Sequence, residues 1–388
     1  MAMAERINVL HLNAPLTVAG AEKVLLLYLE NYNRQNFFVK VASFINTERN
    51  PFNPFPYAVQ RAGGEFLQIS ISRRIDWRDI LKVIQAIRAG NIHIIHTHGY
   101  RADIIGLIAA RLCRIKIVST VHGWTPVSDS LRLYEILDRM LLRYFDRVIV
   151  VSQPIADTLI GKKGKDSRIK VLANAVSLSE NSGRDDRRAE VRASIRRECG
   201  VKMTDYVAGV IGRLSSEKGM DYFLEGISLL TGRYSHLKAI VVGDGPERDA
   251  LVAKAEKLGI HEKVSFLGFR EDISDIFQAI DVLVLPSLTE GIPIVVLEAF
   301  IHRVPVIASC VGGLPDIIDH DVNGLLVLPG EPERIAQNLQ KLMTDIPQGE
   351  RLAQAAYERA LKQFDPQEWA GRLEAIYTEL VSHPKGGL

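Results

Sequence analysis

Short runs rich in valine and isoleucine alternate along this chain with longer stretches of helical period, the pattern that builds βα units and parallel sheets. In the first half the expected strands are INVLHLN, FVKVASF, EFLQIS, IHIIHTH, IKIVSTVH, RVIVVS and IKVLANA; in the second they are YVAGVIG, LKAIVVG, VSFLG, VLVLPS, PVIAS and a short GLLVL. Two such series imply an α/β protein of two Rossmann-like domains. Between them Ser177–Asp205 is polar, crowded with charge and without a strand pattern, so the boundary is placed near its start and a helix of the second domain in its middle. The expected domains are 1–178, 179–365 and a C-terminal segment 366–388. After Phe364 the stretch DPQEWAGRLEAIYTELV reads as an amphipathic helix with Trp369, Leu373, Ile376, Tyr377 and Leu380 on one face, followed by a frayed SHPKGGL tail.

Length and charge narrow the picture. A chain of 388 residues suits two domains, each able to bury a core. Its 48 Lys and Arg against 46 Asp and Glu leave a net charge of +2, which gives no global pull toward nucleic acid, so any anion site must be local. Cys113, Cys199 and Cys310 are scattered and lack C-x-x-C spacing, which argues for reduced thiols filling the core of a cytoplasmic protein and against structural zinc. The N-terminus shows no secretory pattern, and no run reaches the roughly 18 apolar residues of a membrane span. Ser128–Arg147 is amphipathic, with Arg132, Arg139, Arg143 and Arg147 among leucines. It reads first as a helix covering a sheet and second as a peripheral contact with the inner face of a membrane.

In open parallel sheets ligands bind at the carboxyl ends of the strands, which selects the candidate chemistry. GRLSSEKGMDYFLEGI (Gly212–Ile227) holds Arg213 and Lys218 in a loop before a helix, where two cations and free amides can meet one anion. VVGDGPERDAL makes a tight turn at Gly243 before a helix start, and VSFLGFRED exits its strand at Gly268, Phe269 and Arg270, which could flank a flat heterocycle. EGIPIVVLEAF places Glu290 just ahead of a helix starting near Ile292, Pro293 in its first turn, and Glu298 about two turns in. Carboxylates accept hydrogen bonds from sugar hydroxyls, so the pair could hold two rings of one ligand, the helix start facing its phosphates. In the first half, STVHGW sets His122 directly after a strand. IIHTHGYRADIIG sets His96 and His98 on one side of another. Two imidazoles could begin a metal site, but no carboxylate or cysteine is spaced to complete it. His98, Tyr100, Arg101 and Asp103 are better read as lining an acceptor site.

The stretches GRLSSEKG, GDGPER, FLGF, SLTEGIPIVVLEA and VGGLPDII…NGLLV, in this order and spacing, resemble the retaining nucleotide-sugar-dependent glycosyltransferases of the GT-B class, glycosyl transferases group 1. The resemblance implies two Rossmann-like domains facing each other across a cleft, the first on the acceptor side and the second on the donor side, with the C-terminal helix crossing back to the first. It implies that Arg213 and Lys218 bind the donor diphosphate, Glu298 the donor ribose and Glu290 the transferred sugar, with Gly291, Ile292 and Ile294 near the phosphate and sugar; Gly212, Gly243, Gly268 and Phe269 are further donor-binding candidates. Pro293 removes one backbone donor there. TVAGAEKVLLLYLE resembles the family's glycine-rich loop, with Ala19 where a first glycine is usual and Gly20 as the phosphate contact; His122 matches the histidine beside the transferred sugar, and VSQPIADTL (Val151–Leu159) the turn close to the cleft.

The expected partners are therefore a UDP- or GDP-linked sugar and a saccharide, glycolipid or lipid-linked acceptor, with no nucleic acid, no cofactor and no metal. The rivals are a nucleotide-sugar epimerase of the same two-domain shape and a catalytically silent sugar-nucleotide binding subunit. A dinucleotide dehydrogenase is weaker, since no G-x-G-x-x-G follows the first strand.

Overall fold

The structure, a computed structural model, describes residues 6–48, 50–71, 76–123, 129–161, 164–178 and 185–382. Trp124, Ser128, residues 179–184 and most of the terminal tail, each drawn on above, lie outside them, as does the side chain of Arg132. The chain divides into two compact units, one running to Ala175 and resuming at Pro366, the other spanning Val176–Asp365.

The elements of the first unit are β1 (Ile7–Asn13), α1 (Gly20–Asn31), β2 (Phe37–Ile45), α2 (Phe55–Arg61), β3 (Glu65–Ser70), α3 (Trp77–Ala89), β4 (Ile94–His98), α4 (Tyr100–Cys113), β5 (Lys116–Val121), α5 (Asp129–Leu142), β6 (Arg147–Val150), α6 (Gln153–Ile160) and β7 (Ile169–Val171). The second unit contributes α7 (Asp185–Glu198), β8 (Tyr206–Ile211), α8 (Met220–Thr231), β9 (Leu237–Val242), α9 (Arg248–Lys257), β10 (Val264–Gly268), α10 (Ile273–Ala279), β11 (Val282–Leu285), α11 (Ile294–Ile301), β12 (Val306–Ser309), α12 (Leu314–Ile317), β13 (Leu325–Val327), α13 (Pro332–Thr344) and α14 (Ile346–Gln363). Helix α15 (Pro366–Ser382) then returns to the first unit. Every strand expected from the sequence is present.

The first sheet has seven parallel strands in the order β3-β2-β1-β4-β5-β6-β7, and the second has six in the order β10-β9-β8-β11-β12-β13. Both are doubly wound: the chain adds strands to one side of β1 or β8 and then crosses to the other. The reversal lies between β1 and β4 in one sheet and between β8 and β11 in the other, and there the crossovers leave opposite faces and open a crevice at the strand carboxyl ends. Helices on both faces explain why these strands read as continuous apolar runs rather than alternating ones. Val9, Val39, Val41, Val118 and Ile149 are buried in the first core, and Val210, Phe223, Ile227, Val241, Val284 and Ile307 in the second.

Helix α15 buries the face expected of it. Ala370, Leu373, Tyr377 and Leu380 join the core of the first unit beside Tyr28 of α1 and Phe37 of β2. Glu379 pairs with Arg147 at 2.5 Å, and the Asn33 amide donates to Glu374 at 2.8 Å. Helix α5 is described in its side chains from Ile136 onward. It packs on α4 and buries Asp138 and Leu142, while Ile136, Leu137 and Met140 are exposed. Cys113 and Cys199 are half-buried, but Cys310 is exposed and fills no core, because it lies just past the end of β12. No helix among the described residues is long and apolar enough to cross a membrane.

Candidate active site

In the second unit the polar groups gather at the reversal between β8 and β11. Beyond β8 the chain passes Gly212 and Arg213 and makes a short 3-10 turn over Ser216–Lys218. That turn delivers Lys218 to the loop after β11, where its Nζ donates to Glu290 Oε1 at 2.7 Å. The Ser287 hydroxyl donates to the same oxygen at 2.7 Å. Glu290 Oε2 has no partner among the described residues. The two loops are also joined through the backbone, Leu288 N–H to Glu217 C=O at 2.8 Å. The Glu290 side chain is only 7% exposed, so its charge is held by this pairing rather than by bulk water. Arg213 is exposed and makes no ion pair among the described residues.

Two glycines make this packing sterically possible. A Cβ on Gly243, at φ +132°, would lie 1.8 Å from the Gly212 carbonyl oxygen, so the turns after β8 and β9 touch backbone to backbone. A Cβ on Gly312, at φ +53°, would lie 1.8 Å from the Glu290 carbonyl oxygen, and the neighbouring Gly313 N–H donates to Gly291 C=O at 2.8 Å. The Gly-Gly turn thus braces the Glu290 loop from behind.

Helix α11 begins at Ile294, two residues later than expected, with Pro293 as its cap residue rather than in its first turn. Glu298 falls in the second turn and is 7% exposed. Ile292 and Ile294 are buried, so what they can offer a ligand is backbone. Phe269 is 55% exposed just after Gly268. Arg270 beside it is held by Asp272 at 2.7 and 2.8 Å and by Glu198, which pushes its already high pKa higher still. Its guanidinium is thus committed to these carboxylates.

In the first unit the reversal between β1 and β4 carries a file of histidines. His11 on β1 sits in register with His96 on β4, and His98 with Thr120 on β5. His11 Nδ1 lies 3.0 Å from His98 Nε2, and His98 Nδ1 lies 3.4 Å from His122 Nε2. His96 faces the Tyr377 hydroxyl at 2.5 Å and the Thr120 hydroxyl at 2.7 Å, and Tyr377 also reaches His11 Nε2 at 3.3 Å. Burial lowers the pKa of His122 to about 4 and that of His11 to about 3. Burial, reinforced by the neighbouring imidazoles, holds His96 and His98 well below the usual histidine range. These rings are neutral at pH 7.

The other candidates on this unit divide. Gly20 is exposed at the start of α1, where the Ala19 amide donates to Glu22 at 3.2 Å. Tyr100 is half-buried at the start of α4. Arg101 and Asp103, expected to line an acceptor site, instead turn into the fold. Arg101 is ion-paired with Asp79 at 3.0 Å and stacked over Phe44, and Asp103 accepts from the Thr97 hydroxyl. Their positions on the buried face of a helix packed against α3 and α5 account for this. The sequence reading weighed two histidines as a metal pair and missed the third. His11, His96 and His98 bring ring nitrogens within 4.8 Å of one another, but those nitrogens are occupied by hydroxyls and by each other. Ser287 was missed too. Serines after strands are too common to single out.

Two doubly wound parallel sheets in one chain match the fold of solved GT-B glycosyltransferases. The sequence model described as Glycosyl transferases group 1 matches residues 191–359, and that described as Glycosyltransferase Family 4 matches residues 18–180. An uncharacterized glycosyltransferase of Methanocaldococcus jannaschii is 29% identical over 65% of this chain and 66% of its own length. The UDP-Gal:alpha-D-GlcNAc-diphosphoundecaprenol alpha-1,3-galactosyltransferase of Escherichia coli is 26% identical over 83% of this chain and 84% of its own. Among solved structures, Anabaena HepE in complex with UDP-glucose superposes with a TM-score of 0.84 at 23% identity, covering 97% of this chain and all of that one. The second unit is thus similar to the glycosyl transferases of group 1 and the first to glycosyltransferase family 4.

Proposed function

We propose that the protein transfers a sugar from a nucleotide-sugar donor to a saccharide or lipid-linked saccharide acceptor, with retention of configuration and without a bound metal. The observation that carries the reading is the Lys218–Glu290 pair at the reversal of the second sheet, with Arg213 exposed on the same strand exit as Lys218. When the anomeric C–O bond breaks, negative charge grows on the leaving diphosphate. Fixed cations and the first amides of α11 are suited to stabilise it, which removes the need for a divalent ion. Glu290 keeps one oxygen for a hydroxyl of the transferred sugar, and Glu298 serves the ribose. His122, being neutral, acts on the transferred sugar by hydrogen bonding and not as a cation.

The names of relatives support this choice of substrates. The E. coli relative acts with UDP-Gal on a diphosphoundecaprenol-linked sugar, and the HepE structure holds UDP-glucose. Retention follows from the family resemblance, with the leaving phosphate taking the acceptor's proton at the same face of the sugar. The test is to incubate the full chain, in EDTA, with UDP-, GDP- and ADP-sugars and a diphosphate-lipid saccharide, and to read the product's anomeric configuration by NMR. Transfer with retention is expected. Inversion, transfer only after magnesium is restored, or epimerised sugar released without an acceptor would each contradict the proposal.

A further inference from the structure

We infer that a single file of hydrogen bonds running from Thr120 through His96, Tyr377, His11 and His98 fixes His122 as the Nδ1–H tautomer, so that His122 presents a donor, not an acceptor, to the oxygen it meets. Its bearing on transfer rests on the role proposed for His122; the proton arrangement itself does not.

The inference comes from counting protons. Each member is neutral and carries one proton able to make these bonds: the hydroxyls of Thr120 and Tyr377, and one N–H on each imidazole. Burial raises the Tyr377 pKa well above its ordinary value, so its hydroxyl stays protonated. The contacts run in order: Thr120 to His96 Nε2, His96 Nδ1 to Tyr377, Tyr377 to His11 Nε2, His11 Nδ1 to His98 Nε2, and His98 Nδ1 to His122 Nε2. Every contact uses one proton, and the file has one more member than it has contacts. One proton is therefore left over, and it must sit at an end.

Burial decides which end. If the bonds ran from His122 toward Thr120, the spare proton would be on the hydroxyl of Thr120, a buried residue whose hydroxyl has no other hydrogen-bond partner among the described residues. A buried donor without an acceptor is costly. If they run from Thr120 toward His122, every interior donor has its acceptor. The spare proton then lies on Nδ1 of the half-buried His122, where solvent or a sugar oxygen can accept it. The second polarity is the one the structure satisfies. Tyr377 belongs to α15, so the file is complete only when that helix is docked on the first unit. His11, His96, His98, Thr120 and Tyr377 are positioning residues in this scheme.

The experiment is long-range 1H–15N correlation of the full chain labelled with 15N-histidine, without ligand, with His122 assigned by the signal lost in His122→Gln. The expected result is an Nδ1–H signature for His122 in the wild type. In Tyr377→Phe, which keeps the ring but removes the bridging hydroxyl, the signature should shift toward a mixture of tautomers. Thr120→Val, which removes the initial donor, should shift it likewise. An Nε2–H signature in the wild type, or one unchanged in the two variants, would overturn the inference. So would stoichiometric zinc in the purified protein that is lost on His11→Gln, since a metal would replace the proton file. Because no outcome depends on turnover, a failure here is separable from a failure of the proposed activity.

Discussion

Lys218 and Glu290 meet at 2.7 Å across the reversal of the second sheet, one from the turn after β8 and the other from the loop after β11. The pair does two things at once. It offsets the cost of a carboxylate that is only 7% exposed, and it aims a cation at the crevice where the family resemblance places the diphosphate. Arg213, unpaired among the described residues, adds charge on the same rim.

Arg213→Ala and Lys218→Ala should each lower turnover by about 10² to 10³, the usual loss when one electrostatic contact to a developing oxyanion is removed. Arg213→Ala should leave the unfolding midpoint unchanged, since that side chain is exposed and makes no ion pair among the described residues. Lys218→Ala should lower it modestly, because Glu290 then keeps only the Ser287 hydroxyl. Steady-state kinetics with thermal unfolding as control would reveal it; turnover near wild type in both variants removes the clamp assignment.

The two acids should separate by ligand. Glu298→Gln should weaken nucleoside diphosphate binding about tenfold or more, the equivalent of one charge-assisted hydrogen bond to the ribose. Glu290→Gln should leave that affinity unchanged or raise it, because Lys218 is released from its partner, while turnover falls. Calorimetric titration of both variants decides, and equal losses would mean that the acids serve one subsite.

How much of this was legible beforehand depends on whether the signal was local. Runs such as IHIIHTH and VLVLPS announce buried strands, and glycine, proline and charge just after them announce the crevice, so Lys218, Glu290 and Glu298 could be picked out without coordinates. Their pairing could not, since residues 72 positions apart meet only through the strand order β8-β11. His11 read as one polar residue in an apolar strand, and Tyr377 as one more apolar face position on a helix. Only the register of β1 with β4 and the return of α15 bring them together. The same lack of long-range information misassigned Arg101 and Asp103, which follow His98 in sequence but point into the packing between helices.

The histidine file should also govern acid stability. The ordinary pKa is about 6.5, and the folded values of His122 and His11 are about 4 and about 3, with His96 and His98 also well below it. Below about pH 6.5 the unfolded chain therefore binds protons that the native state refuses. Stability should be complete above that value and fall as pH drops toward 4, each buried ring contributing up to about 1.4 kcal/mol per pH unit. Asp103, whose pKa is raised by burial and then by Asp138, works in the opposite sense and offsets part of the loss. Urea unfolding between pH 4.5 and 7.5 should give a slope greater than a single proton accounts for, and a flat profile would mean the rings are solvated.

The most direct measurement is calorimetric titration of UDP, GDP and ADP into the full chain in EDTA, repeated with Lys218→Ala. A donor site built on fixed cations requires that one of these nucleoside diphosphates bind the wild type without metal, and at least tenfold more weakly to the variant. Binding of none of them, binding that appears only with magnesium, or equal affinity in the variant would contradict it.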